Sequence, residues 1–474
     1  MNILIISTNR NTLPMPVLPL GACMVAEAAE QAGHSVKVLD FMFKKNVLQN
    51  LRKELSGSKP DIIGLSIRNI DNNDYENPVF FLEEITPVIN VIRTLTEAHI
   101  VIGGAAVAVM PEEILRYTGA SYAVTGDGEV IFPMLIERLS RGETPVDVPG
   151  VAWLENGRFI RNPGTLPTDR DCGTPDFSRW INLGAYLSRL STIPLQTKLG
   201  CHFQCIYCTY RKIEGNTYRL SSPECVVDTV NRLIHGGIRD IEFVDNIFNY
   251  PYNHAIEICE GIARACSGAR LQSLELNPLF IDDDLISAME RAGFTGIGIT
   301  VESASEDVLK GLRKGFTVED VHRAARVIQR HSLPCVWIFM FGGPGETEST
   351  VKETLRFAET FMRSEDVAFL SAGIRIYPGT ELESLARREG LLSLPPQKML
   401  PPVFYNSSMV DYHWMKKQIY DTMNTHMNFI NSDSIGLSIL PAIHRVGYRL
   451  GLRPPLWRYT RPIRRGLRFL GMDV

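Results

Sequence analysis

The sequence predicts a mixed α/β chain in three parts: a doubly wound parallel sheet, a partial (β/α)6 barrel and a mainly helical C-terminal region. Three observations predict it. Short apolar runs alternate with amphipathic stretches through residue 140, a Pro- and Gly-rich stretch interrupts them, and six further alternations follow from Pro194. Such alternation places parallel strands between covering helices. At 474 residues the chain is too long for one ordinary core. A hydrophobic content of 45% with 22% charged residues excludes extensive disorder, and a net charge of −4 carries no general nucleic-acid signature. Boundaries are therefore expected at 1–140, 141–193, 194–381 and 382–474.

In the first part, strands are expected at Ile3–Ser7, Ser35–Leu39, Asp61–Ser66, Ile100–Ile102 and Tyr122–Val124. Helices are expected at Leu20–Ala32, Asn46–Leu55, Val79–Leu95, Glu112–Tyr117 and Val130–Leu139. Ligands of such sheets sit at the carboxyl ends of the strands. Those ends carry Ser7 and Thr8, then Ser66, Arg68, Asn69, Ile70 and Asp71, then Gly103 and Gly104, then Gly126, Gly128 and Glu129. Glycines there let backbone approach a large ligand, and helix N-termini favour its phosphate. No G-x-G-x-x-G follows the first strand, which disfavours a dinucleotide.

Residues 141–193 read as a linker with one hairpin at Gly150–Ile160, turning at Asn156-Gly157. Asp169-Arg-Asp171 reads as solvated charge. Strands of the second part are expected at Leu195–Leu199, Asp240–Val244, Leu271–Leu276, Gly296–Val301, Cys335–Phe341 and Ala368–Ile376. Between them lie helices at Pro223–His235, Pro251–Cys266, Asp284–Ala292, Glu306–Leu312, Val318–His331 and Glu348–Met362.

Directly after the first of these strands come Cys201, Cys205 and Cys208, spaced C-x3-C-x2-C behind Gly200. Three thiolates within one tight loop can hold a compact metal centre. A cubane takes one cysteine per iron, so three cysteines leave one iron open to something other than protein. Structural zinc normally wants four ligands, and His202 is awkwardly placed beside Cys201 to be the fourth. The other cysteines form no evident disulfide framework, as in a reducing, cytoplasmic compartment. Cys335 reads as a small buried apolar side chain, and no catalytic side chain is assigned.

This motif, with Tyr207 before its last cysteine, resembles the signature of the radical S-adenosylmethionine (SAM) superfamily. The resemblance implies a [4Fe-4S] cluster whose open iron binds SAM, and cleavage of SAM to a 5′-deoxyadenosyl radical by an external flavodoxin- or ferredoxin-type reductant. Strand ends match in order. Asp245 and Asn246 are implied near the SAM amino group, and Glu302 and Ser303 near its ribose or amino acid, with Lys314-Gly315 completing that pattern. Gly342 and Gly343 are implied beneath the adenine, and Arg375 at the sixth-strand end. The first part resembles the Rossmann-like cobalamin-binding domain of the B12-dependent branch. A D-x-H-x-x-G motif is absent, so Arg68, Asn69, Ile70 and Asp71 are implied at the lower cobalt face.

The C-terminal region resembles a substrate-shaping lid, with short strands or loop at Val403–Asn406 and a helix near Asp411–Asn428. From His444 onward, Arg445, Arg449, Arg453, Arg458, Arg461, Arg464, Arg465 and Arg468 interleave with Tyr448, Leu450, Trp457, Tyr459, Ile463, Leu467, Phe469 and Leu470. This pattern suits either an anionic membrane surface or packing on the rest of the protein, with no nucleic acid expected. The implied activity is methylation of an unactivated carbon of a lipid-like or other small molecule by methyl-cobalamin. Cobalamin-assisted cyclisation or oxidation is the alternative, and a non-catalytic sensor or electron carrier is the alternative of another class.

Overall fold

The computed structural model describes residues 1–164, 173–431 and 439–469. Asp169-Arg-Asp171 and Leu470 lie outside them. The first sheet contains β1 (Asn2–Ser7), β2 (Ser35–Asp40), β3 (Ile62–Ser66), β4 (His99–Gly103) and β5 (Tyr122–Val124), all parallel in the order 2-1-3-4-5. The order reverses between β1 and β3, the switch point where a crevice opens. Apolar runs such as Ile3–Ile6 are buried because helices cover both faces of the sheet.

Two expectations about this part are corrected. The helix expected from Val79 becomes α-helical only at Ile85 and runs to Leu95, behind a 3-10 turn at Phe81–Glu84. Pro87 has no N–H to bond back to Glu83, so it is tolerated in the first turn of a helix and no further along. The hairpin is no mere linker either. Its strands β6 (Val151–Glu155) and β7 (Arg158–Arg161) extend the first sheet in antiparallel fashion from β5.

The second sheet is parallel and open. It contains β8 (Ile193–Leu195), then, beyond a small pair formed by β9 (Lys198–Leu199) and β10 (Arg219–Leu220), β11 (Asp240–Phe243), β12 (Arg270–Leu276), β13 (Phe294–Glu302), β14 (Cys335–Phe341) and β15 (Val367–Ala372). β16 (Ile374–Arg375) pairs with β17 (Phe404–Tyr405), and β18 (Phe429–Asn431) adds an unexpected seventh parallel strand beside β15. The single run expected at Leu195–Leu199 splits because the Thr197 and Lys198 amides donate to the Asp245 carboxylate, at 2.7 and 3.2 Å, instead of to a neighbouring strand. The run expected at Ala368–Ile376 breaks at Gly373, whose φ is +82°.

The basic tail docks on the barrel over much of its length. Trp457 is buried in a cluster with Val336 and Val367, and a Cβ at Gly296 would lie 2.6 Å from its ring. The indole thus occupies space that only a glycine strand leaves open. Arg464 is also buried and donates to the carbonyls of His426 and Phe429. Trp457, Arg464 and Leu467 therefore cannot form a membrane face, because each is turned into the protein. Val446, Tyr448, Leu450 and Phe469 stay exposed.

The two sheets are tied together. The buried Arg219 pairs with the buried Asp127, Tyr186 donates to Asp40 at 2.8 Å, and Ser191 donates to the Pro16 carbonyl at 2.6 Å. The loop after β3 reaches farthest. Tyr377 donates to Asn73 at 2.9 Å, Tyr412 donates to Glu76 at 3.0 Å, and Lys416 pairs with Glu76 at 2.5 Å.

Candidate functional site at the mouth of the barrel

The cysteine loop begins where β9 ends. Gly200 has φ +91°, and a Cβ there would fall 2.0 Å from the Thr217 carbonyl, so glycine is required for the chain to turn. Asp245 supports the same turn: besides the two amides it accepts from the Thr197 hydroxyl at 2.6 Å, and it lies 3.6 Å from the buried Lys198 ammonium. Glu214 accepts from the Gly200 amide at 3.1 Å and from Asn246 at 2.5 Å. Asp245 and Asn246 thus brace the cysteine loop.

Cys201 is buried, and Cys205 and Cys208 are half-buried. Burial raises all three thiols, Cys208 to about 12. Deprotonating them therefore needs a bound cation, which a metal cluster supplies. Among the described residues no group of three His, Cys, Asp or Glu side chains could hold a metal ion. The three free cysteines of the loop are the set that fits the cluster.

Facing the loop is a buried triad. Tyr207 donates to Glu302 at 2.7 Å, and Lys314 sits 2.8 Å from the other carboxylate oxygen and 3.2 Å from the Tyr207 hydroxyl. Burial alone would lower the Lys314 ammonium, but Glu302 and the cysteine sulfurs outweigh it and hold it above its usual range. Glu302 has φ +58°, left-handed backbone that costs a non-glycine residue on the order of 1–3 kcal/mol. A register shift in β13 between Thr300 and Glu302 accompanies it.

Other expected SAM contacts have neighbours within the protein. Ser303 is buried, shares a hydrogen bond with Thr354 at 3.0 Å and accepts from the Ser305 amide at 3.1 Å. A Cβ on Gly342 would lie 2.2 Å from the Asn406 side chain, and one on Gly343 would lie 3.3 Å from Val308. Both glycines thus lie close against side chains of the protein. Arg375 donates to Asp71 and to the carbonyls of Ile376, Val403, Met399 and Leu400. Arg375 and Asp71 are thus bonded to each other, and Arg375 also to the protein's own backbone. Ile70 is likewise buried in the core of the first sheet.

A cavity of about 370 Å3 lies between the two sheets. Ser7, Ser66, Arg68, Gly103, Gly104, Gly126, Gly128 and Glu129 line it from the first sheet, and Pro194, Gln196, Leu199, Ile213, Glu214 and Val244 from the second. Gly104 has φ +103°, and a Cβ there would strike the Ile67 carbonyl at 2.5 Å. Thr8 and Asn69 line a smaller adjoining pocket with Arg68. The small-residue cradle fits a broad cofactor such as cobalamin, and no histidine lines the cavity.

Near the cysteine loop stand Tyr210 and Glu242, which the sequence did not single out, and Arg68, which it did. Tyr210 is 46% exposed, and desolvation first and then Glu275 and Glu214 push its phenol up. Arg68 is likewise accessible but enclosed; burial lowers its guanidinium, while Tyr210 and Glu242 act against the shift. Glu242 accepts from Thr192 at 2.6 Å and Gln272 at 2.7 Å. Only the sheet closing into a barrel brings these residues together. The polar residue at 242 within an apolar strand was the one legible signal.

The sequence description of the radical SAM superfamily matches residues 196–358, and that of the B12 binding domain matches residues 6–136. An uncharacterized methyltransferase of Pyrococcus horikoshii is 26% identical over 381 residues, 79% of each chain. Tryptophan 2-C-methyltransferase of Streptomyces laurentii is 24% identical over 440 residues, 78% of this chain and 72% of that one. The solved methyltransferase TsrM from Kitasatospora setae, with cobalamin and a [4Fe-4S] cluster bound, superposes with a TM-score of 0.85 at 22% identity over 99% of both chains. With residues flanking its three-cysteine loop lining a cavity shared with a B12-type sheet, the chain belongs to the cobalamin-binding branch of the radical SAM enzymes and uses a [4Fe-4S] cluster, SAM and cobalamin as cofactors.

Proposed function

We propose that this chain transfers a methyl group from SAM to a carbon atom of a small molecule. The observation that carries the reading is the shared cavity: strand ends of the first sheet and residues flanking the cysteine loop line one space. When bound, the cluster supplies the electron for SAM cleavage and cobalamin carries the methyl group. The chain's residues hold and orient these partners. Cys201, Cys205 and Cys208 anchor the cluster, and Glu302, neutralised by Lys314, offers its carboxylate to SAM. Ser7, Ser66, Arg68 and the glycines cradle cobalamin, with Thr8 and Asn69 at its margin. The relative from Streptomyces laurentii, a C-methyltransferase, supports carbon as the acceptor. Domains at 1–161 and 193–431, joined by 162–192, with the tail closing the barrel, are the division we favour.

The tail that suggested a lipid-like substrate is docked on the barrel at Trp457 and Arg464, so it gives no ground for preferring one. An external flavodoxin- or ferredoxin-type protein is the proposed electron source. The test is anaerobic incubation of reconstituted protein with methyl-labelled SAM. Label retained by cobalamin-loaded protein and not by cobalamin-free protein is the expected result. Equal label in both would remove the proposal.

No helix among the described residues is long and apolar enough to cross a membrane. We infer a peripheral lipid contact only for the outer tail, where Val446, Tyr448 and Leu450 stand exposed among Arg445, Arg449 and Arg453. Sedimentation with phosphatidylserine vesicles at low salt should pull down wild type and not an Arg445→Glu/Arg449→Glu/Arg453→Glu variant. Equal recovery of both in the supernatant removes this contact.

A further inference from the structure

The segment at the end of the helix Glu306–Leu312 is folded onto the cysteine loop at three points. The Ile206 amide donates to the Leu312 carbonyl at 3.1 Å, and a Cβ on Gly315 would meet the Phe203 ring at 3.1 Å. Between these contacts the Lys314 ammonium lies 3.2 Å from the Tyr207 hydroxyl and 5.7 Å from the centre of its ring. All three contacts fall on residues between Cys201 and Cys208. The helix end decides which side chain enters. Arg313 has φ +53°; its amide donates to the Lys310 carbonyl and the Lys314 amide to the Leu309 carbonyl, both at 3.1 Å. This Schellman pair of bonds folds the following residue back against the helix. Arg313 is left on the surface, 2.6 Å from Glu381, while Lys314 is buried.

Phe316, whose ring centre is 5.6 Å from the ammonium, is buried, as are Ile206 and Leu312. Water therefore screens the Lys314 charge little. Other cations near the loop differ. Arg211 and Lys212 are exposed, and the buried Lys198 and Arg219 are paired with Asp245 and Asp127. Glu214, which accepts from the Gly200 amide, adds a carboxylate at the entry to the loop. One-electron reduction adds a negative charge to a centre already held by three thiolates, and net charge is among the factors that set the potential of such a cluster. Glu302 opposes that step, because its carboxylate is buried and Tyr207 joins it to the loop at 2.7 Å. Lys314, at 2.8 Å from that carboxylate, offsets its charge.

We propose that Lys314 raises the reduction potential of the cluster: its ammonium balances the buried Glu302 carboxylate beside the cysteine loop, so that an external one-electron donor of flavodoxin or ferredoxin type can reduce the centre. The electron comes from that donor, which is oxidised as the cluster is reduced. Lys314 itself makes and breaks no bond and keeps its proton. It is a positioning residue, acting through Glu302 and Tyr207. The inference rests on the cluster and is independent of the molecule that is methylated.

The full chain, reconstituted with iron and sulfide and without SAM, is titrated against redox mediators, and the reduced cluster is read by electron paramagnetic resonance. Lys314→Met and Lys314→Gln should each make reduction at least ~10-fold harder, a fall of ~59 mV for a one-electron couple. Lys314→Arg, which keeps the charge, should stay within about two-fold of wild type. Lys314→Met/Glu302→Gln, which removes both charges, should recover most of the fall. An unchanged potential in the two neutral variants overturns the proposal. So does a double variant that stays as low as Lys314→Met, or a Lys314→Arg variant that falls as far. Breaking a buried pair also strains the fold. If neither neutral variant holds iron, Lys314 serves assembly of the cluster rather than its potential, and the proposal is overturned as well. Failure of wild type to take up iron would instead strike at the cluster itself, and the iron content shows that separately.

Discussion

Asp71 and Arg375 form an ion pair at 2.9 Å although 304 positions separate them, with side-chain exposures of 0% and 3%. Asp71 lies just beyond the β3 loop residues that line the cofactor cavity, and Arg375 lies in β16 of the barrel. Four carbonyl oxygens take the remaining guanidinium donors, so the pair is a buried and well-satisfied link between the two sheets.

Removing one partner leaves a buried charge alone, and Arg375→Ala is expected to cost ~3–5 kcal/mol. Arg375→Met/Asp71→Leu should recover much of that loss. Urea unfolding of the three proteins checks it; equal losses for the single and double variants would contradict the assignment.

Cys201→Ala, Cys205→Ala and Cys208→Ala should each abolish SAM cleavage, because each removes the ligand of one iron. Iron content and visible absorbance of the reconstituted proteins provide the measurement. A triple variant with unchanged iron and spectrum would exclude this loop as the cluster site.

Cobalamin should bind with no histidine on cobalt, since no histidine lines the cavity. The reduced holoprotein is expected to show an electron paramagnetic resonance spectrum without the splitting that an axial imidazole nitrogen produces. Observation of that splitting would place a histidine where the structure has none.

Trp457→Ala should empty the floor of the barrel and cost ~3–5 kcal/mol. The tail would then detach, and trypsin should cut after Arg458 and Arg464 much faster than in wild type. Unchanged digestion would show that the indole does not hold the tail.

His444 adds a pH dependence. It is 1% exposed, and burial lowers its imidazole to about 4. Between that value and its unfolded value the unfolded chain binds more protons, so the stabilisation is present above pH ~6.5 and fades as pH falls toward 4. Its full size is at most ~3 kcal/mol. Amide hydrogen exchange across Leu440–Arg449 should quicken from pH 7 to 5 relative to the intrinsic rate, and His444→Leu should flatten the trend.

The sequence by itself determined the two β/α series, the switch-point cavity and the three cysteines. Each is a local signal: apolar runs of strand length, glycines at strand ends, and ligands within one loop. Glu302 was singled out in the same way, at the end of its strand. What tertiary structure alone decided is where the polar residues at the strand ends find partners. Asp71 and Arg375 pair with each other, Asp245 braces the cysteine loop and Ser303 bonds Thr354, because buried polar groups must find partners and distant segments supply them. Conversely, Thr192, Glu242 and Gln272 look like scattered residues until neighbouring strands pair and bring them into one hydrogen-bonded set. The tail was decided in the same way, since nothing local in Trp457 says that glycine at position 296 leaves room for it.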